Sequence, residues 1–271
     1  MDMTEINSRG LVLLGCGKMG SAMLEGWLAQ GLHPDAVHVI DPNPSDWLRG
    51  TGAALNGDLP EAPAVALIAV KPQMMGDALG QVSALGGGRT VVISVAAGVT
   101  LARFEDVFGA GTPIVRAMPN TPAAISQGIT AIIGNDTAGE EALATAEALL
   151  SAVGDVVRLD REAQMDAVTG VSGSGPAYVF HLIETLAAAG EAEGLPPALA
   201  LQLARATVAG AGALAVQSGT DPAELRRNVT SPNGTTQAGL EVLMDAEAGL
   251  PPLIRRTVAA AAARSKELAN G

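Results

Sequence analysis

The stretch LVLLGCGKMGSAMLEGWL, residues 11–28, constrains this chain more than any other. Four apolar residues of strand type run into Gly15, Gly17 and Gly20, and a helical pattern begins directly behind them. In a G-x-G-x-x-G turn between a buried strand and a helix, one glycine allows the tight turn, one lets backbone approach a pyrophosphate, and one lets helix pack closely on strand. The phosphate then lies at the helix N-terminus, where unpaired N–H groups and the dipole favour an anion. A purely structural glycine turn fits the same letters. The strand before it, the helix after it and the period of the following residues favour dinucleotide binding.

That period is an alternation of short β-branched runs with helical patterns, the mark of βαβ units on a mostly parallel sheet. The runs are 11–14, 37–40, 65–70, 90–95 and 113–118, and GITAIIG (128–134) and DVVRL (155–159) extend the sheet's edge. Thr137 followed by Glu140 reads as a capping box opening a helix that runs to Leu150. After Asp160 the β-branched runs stop, and the pattern is helical with Gly and Pro punctuation. The expected fold is α/β: a Rossmann-type dinucleotide-binding domain over residues 1–160, then an all-α substrate-binding and dimerisation domain over 161–271. Ala-rich and Gly-spotted helices at 184–192, 204–216 and 258–263 permit very close contacts, which predicts a homo-oligomer over a self-contained bundle.

Composition narrows the function classes. A hydrophobic share of 48% with only 2% aromatics requires a core of closely packed aliphatic side chains. A formal net charge of -12 repels nucleic-acid phosphates and anionic membrane surfaces, so neither is expected as a partner. One cysteine, Cys16, permits no internal disulfide, and His33, His38 and His181 have no metal-ligand spacing. The first residues, MDMTEINSRG, lack a secretory pattern, and the most membrane-like window, ARATVAGAGALAVQ, is short and carries Arg205. A cytoplasmic location is expected.

Candidate site residues cluster at the strand ends. Asp41 closes the second run about 20 residues beyond the glycines, where an acid accepts from the adenosine ribose and disfavours a 2'-phosphate; DPNPS is equally a turn in which Asp41 starts an Asx-turn. Lys71 in AVKPQ stands at the carboxyl edge of the sheet, solvated or facing the cofactor. SVAAGV and AMPNTP end the next two runs with turn chemistry, which implies a crevice. In the helical half, SGSGP (172–176) is a Gly-Ser link or a substrate-facing turn, and Tyr178 reads as a packing residue. TSPNGTT (230–236) is either an ornate helix cap or a nest of hydroxyls and N–H groups for a small carboxylate.

GCGKMG, AVKPQ, SVAAGVT, RAMPNTPA, DAVTGVSGSGPAYVF and NVTSPNGTTQAGL occur in this order, and by them the chain resembles pyrroline-5-carboxylate reductase over essentially its whole length. The resemblance implies reduction of 1-pyrroline-5-carboxylate, a small imino acid, to L-proline with NADPH or NADH. It also implies a homodimer or a higher assembly up to a decamer. The cofactor residues it implies are Gly15, Cys16, Gly17, Lys18, Met19, Gly20, Asp41, Pro42, Asn56, Ala69, Val70, Lys71, Pro72, Ala97 and Asn120. Those implied for substrate are Glu162, Asn228, Ser231, Gly234, Thr235 and Thr236, with Thr236 as the catalytic hydroxyl. A β-hydroxyacid dehydrogenase would need a lysine within 162–193, which contains none, and a non-turning-over dinucleotide sensor leaves the TSPNGTT loop without a purpose.

Overall fold

The computed structural model describes residues 3–270. Its sheet strands are β1 (Leu11–Leu14), β2 (Val37–Ile40), β3 (Ala54–Leu55), β4 (Val65–Ile68), β5 (Val91–Ser94), β6 (Ile114–Met118), β7 (Gly128–Gly134) and β8 (Gly154–Arg158). The helices are α1 (Thr4–Arg9), α2 (Lys18–Ala29), α3 (Asp46–Arg49), α4 (Met75–Leu79), α5 (Leu101–Phe108), α6 (Glu140–Leu150), α7 (Met165–Val168), α8 (Gly175–Ala192), α9 (Pro197–Ser218), α10 (Pro222–Asn228), α11 (Thr235–Leu243) and α12 (Leu250–Asn270). Two compact units result: Met1–Gly173 with Ala261–Gly271, and Ser174–Ala260.

The first unit carries one sheet in the order β3-β2-β1-β4-β5-β6-β7-β8. Only the β6–β7 pairing is antiparallel. The run β3-β2-β1-β4-β5-β6 is the doubly wound order, with its switch point between β1 and β4. Alternate side chains feed two cores, as the pleat requires. Leu11, Leu13, Val37, Val65, Leu67 and Ile93 meet Met23, Leu24 and Trp27 of α2 and Ala146 and Leu149 of α6. Val12, Leu14, Ala66, Ile68 and Val92 meet Met75 and Leu79 of α4 and Phe104 and Phe108 of α5. With so few aromatics, Trp27 is fully buried, and its indole N–H donates to the Leu149 carbonyl at 2.8 Å.

Two sequence expectations are corrected. Thr137 does not cap α6: its hydroxyl donates to the Ala110 carbonyl, and Gly139 holds the N-cap position without a side-chain bond. Buried Asn135 takes the nearby turn, its Oδ1 accepting from Ile114 and Ala138 while its Nδ2 donates to Glu105 and the Thr112 carbonyl. Glu140 is drawn instead to Arg158. The apolar helical window is also longer than the sequence suggested: α9 has 22 residues, with a mean hydropathy of 1.5 in its best window, long and apolar enough to cross a membrane by those criteria. Only 11% of that window is buried.

In the second unit α8 packs along α9, where Gly190 lets Leu195 and Ala200 approach its backbone. Leu182, Leu186, Leu199, Leu203, Leu214 and Val216 remain exposed in the single chain.

Candidate active site

The glycine turn has the shape that dinucleotide binding requires. Gly15 has φ +89°, and a methyl there would lie 2.8 Å from Val70 Cγ1 and 3.1 Å from the Ala69 carbonyl. A methyl on Gly20 would strike the Gly15 carbonyl oxygen. Gly17 differs: a Cβ there meets nothing within 4 Å, and it is the N-cap of α2 with no side chain closing the turn. An open backbone face in front of an uncapped helix start fits a pyrophosphate, so these residues suit a dinucleotide.

Asp41 sits beside that turn. Its Oδ2 accepts from the Cys16 amide at 2.7 Å and its Oδ1 from the Asn43 amide at 2.8 Å, so the Asx-turn is formed and the carboxylate also ties β2 to the glycine turn. Asn56, left-handed at φ +52°, clasps the backbone of Asp41 with both ends of its amide. Burial, reinforced by the Asp41 charge, pushes the Cys16 thiol up to about 11.

Ala69, Val70, Lys71 and Pro72 leave β4 on the same edge, with Ala69 N–H bonded to Leu14 and Lys71 exposed. Ala97 follows β5, and Asn120 follows β6, where its Oδ1 accepts from Ile129 at 3.0 Å and so braces the start of β7. The residues expected for the cofactor therefore stand along one carboxyl edge, where ligands bind in open α/β sheets. A hollow of about 710 Å³ opens at the amino ends of the strands, among Ile6, Arg9, Ala64, Val91 and Pro113. That is the wrong edge for this architecture.

The residues expected for substrate fall into two groups. Glu162 belongs with the sheet: its Oε1 accepts from Arg116 at 2.7 Å and from the Leu101 amide at 2.9 Å, joining β6 to the start of α5. Arg116 is the one charged residue among the buried polar residues of the described chain, and sequence reading passed over it. An arginine inside the strand-type run PIVRAM was the available signal. Also unforeseen was a π-helical turn, Thr169–Gly173, whose Gly173 backbone lies against Met118 at the end of β6. Such turns are rare and occur often at functional sites.

Asn228, Ser231, Gly234, Thr235 and Thr236 lie together in the helical unit. Asn228 ends α10. The Thr230 hydroxyl donates to the Arg226 carbonyl at 2.6 Å, the Gly234 amide to the Ser231 carbonyl at 3.1 Å, and the Asn233 amide to Gln237 Oε1 at 2.8 Å. Asn233 takes the left-handed conformation, φ +56°. These bonds build the turn and close its entrance. What they leave over is the first turn of α11, which no side chain caps, with Thr235 and Thr236 both exposed.

Comparison with known proteins follows this division. Residues 162–268 match the family model described as pyrroline-5-carboxylate reductase dimerisation, and residues 10–98 match that of coenzyme F420-dependent NADP oxidoreductase. The chain is 43% identical to the pyrroline-5-carboxylate reductase of Synechocystis over 95% of its own length and 97% of that protein. To that of Pseudomonas aeruginosa it is 38% identical, over 96% and 97%. Among solved structures, a pyrroline-5-carboxylate reductase from Coxiella burnetii superposes with a TM-score of 0.87 at 33% identity, covering 96% of this chain and 98% of that one. A pyrroline carboxylate reductase from Plasmodium falciparum with NADP bound gives 0.83 at 26%, covering 97% and 99%. With identity at this level from end to end, the chain belongs to the pyrroline-5-carboxylate reductase family.

Proposed function

We propose that this chain reduces 1-pyrroline-5-carboxylate to L-proline with NADPH or NADH, the last step of proline biosynthesis, as a cytoplasmic homodimer or a higher assembly up to a decamer. The observation that carries the reading is the uncapped first turn of α11, with two exposed threonines behind a turn that has satisfied its own hydrogen bonds. A family that reduces a cyclic imino acid needs such a surplus of donors for a small carboxylate and a ring nitrogen.

When bound, the reduced nicotinamide supplies a hydride to the imine carbon. The Gly15–Gly20 turn holds the pyrophosphate on the α2 amides, and Ala69–Pro72, Ala97 and Asn120 line the rest of the dinucleotide edge. The amides of Thr235 and Thr236 receive the substrate carboxylate, on a turn shaped by Ser231 and Gly234. The Thr236 hydroxyl hydrogen-bonds the ring nitrogen and relays its proton. A cyclic imine draws much of that proton from solvent, so holding and orienting the ring supplies most of the acceleration. Glu162 and Asn228 complete the substrate set; for Glu162 this means its free oxygen, since Oε1 is held by Arg116 and Leu101.

The turn from Asp41 to Asp46 contains two acids and no base, so it repels a 2'-phosphate. NADH is therefore expected to give the higher kcat/KM. Steady-state rates on 1-pyrroline-5-carboxylate with both cofactors, with L-proline identified as product, test the reading: absence of proline would sink the reaction, and equal kcat/KM values would sink the cofactor preference alone.

A further inference from the structure

The loop between β5 and α5, residues 95–100, carries Ala97 on the dinucleotide edge and is held along its length. At its start the Ala96 amide donates to Ser94 Oγ at 3.3 Å, and just past its end the Leu101 amide donates to Glu162. Its middle is held differently. Gly98 is buried with φ +75°, and a Cβ there would lie 3.0 Å from Leu268 Cβ and 3.5 Å from the Leu268 carbonyl carbon, so the loop backbone rests directly on the last turns of α12.

A polar contact ties those turns to α7. Ser265, 2% exposed, donates from Oγ to Asp166 Oδ1 of α7 at 2.7 Å, across 99 residues of sequence. Ser265 and Leu268 are three apart and share a helix face, so a tether at one sets the reach of the other. A hydrogen bond from a buried hydroxyl to a half-buried carboxylate fixes direction because few alternative geometries satisfy it. A hollow of about 650 Å³ opens where Gly98 meets Leu268, lined by Pro72, Gly98, Thr100, Arg103, Leu268 and Ala269, so the end of α12 walls the same sheet edge that Pro72 and Gly98 occupy.

We infer that Ser265, Asp166 and Leu268 are positioning residues for the dinucleotide: they hold the 95–100 loop in the conformation that receives it, without touching the imine. The inference rests on the reading of this edge as an NAD(P)H site in an imine reductase. A preformed loop costs less ordering on binding, so loosening it weakens cofactor affinity first.

The test compares wild type with Ser265→Ala, Leu268→Gly, which removes the Cβ that Gly98 meets, Asp166→Ala and Asp166→Asn in the full chain, by calorimetric titration with NADH and NADPH and by steady-state kinetics. The first three variants should raise dinucleotide Kd and KM about fivefold, the equivalent of one lost hydrogen bond or apolar contact. KM for the imine should stay at the wild-type value. Asp166→Asn keeps an acceptor oxygen for Ser265 and should bind dinucleotide like wild type. Unchanged dinucleotide Kd in Leu268→Gly and Ser265→Ala would overturn the inference. So would an imine KM rising in step with that of the cofactor, or Asp166→Asn as damaging as Asp166→Ala. Leu268 is 43% exposed, so its truncation is tolerated even where burial makes Ser265→Ala fold poorly. Wild type that binds dinucleotide but forms no proline would instead sink the reaction assigned above, and the calorimetric comparison would still decide the positioning role.

Discussion

At the residue scale, the glycines of the turn separate into those whose missing side chain the protein's own backbone requires, Gly15 and Gly20, and Gly17, which faces open space. Gly20→Ala drives a methyl into the Gly15 carbonyl and should cost about 2 kcal/mol of stability, seen as a lower Tm. Gly17→Ala meets no protein atom, so Tm should hold while NAD(P)H binding weakens; a fall in Tm matching that of Gly20→Ala would refute the distinction. Thr236→Val keeps size and deletes the hydroxyl, and kcat/KM for the imine should fall by the equivalent of about 1 kcal/mol or more. Cys16 supplies a pH signature. Between the ordinary thiol value near about 8.5 and about 11, the folded chain keeps a proton that the unfolded chain has lost. This site's contribution to stability is therefore complete below about pH 8.5 and falls as pH rises towards 11. Thiolate absorbance during an alkaline titration, read beside urea midpoints, checks both.

At the scale of elements, the join of β6, α5 and the segment after β8 depends on Glu162 and buried Arg116. Glu162→Ala leaves that guanidinium without its carboxylate and should cost about 2 kcal/mol, less than a fully buried pair because Glu162 is 30% exposed. Glu162→Gln, which still accepts from Leu101, should cost less; equal urea midpoints for the two variants would count against the ion pair. The strands of the parallel sheet were legible because β-branched runs buried on both faces carry an unbroken apolar signal. The two-residue strand β3, Ala54–Leu55, was not, since it borrows its register from β2 and has too few residues for any period. The π turn at Thr169–Gly173 was equally hidden: its end runs into SGSGP, which reads as a Gly-Ser link, and its Gly173 backbone packs against Met118, a residue far off in sequence. In the site, strand-end positions followed from topology, whereas the tie between Asp166 and Ser265 joins residues that no local pattern connects.

At the scale of the whole molecule, leucines and valines stand exposed along both α8 and α9, and exposed apolar side chains grouped in this way mark an interaction surface. Sedimentation should accordingly give at least twice the chain mass of 27.1 kDa, and Leu203→Glu, at a position 48% exposed, should shift the protein towards the single chain. A wild type sedimenting as one chain would defeat the oligomer. The sheet unit takes its last residues from 261 onward, after the entire helical unit has intervened. During synthesis, then, a ribosome that has completed all eight strands at Arg158 has not yet made Ser265 or Leu268, and the nascent Rossmann unit must wait for about 110 further residues before the 95–100 loop acquires its support. On the positioning role inferred above, such a chain reaches its full dinucleotide affinity only once the last turns of α12 have docked.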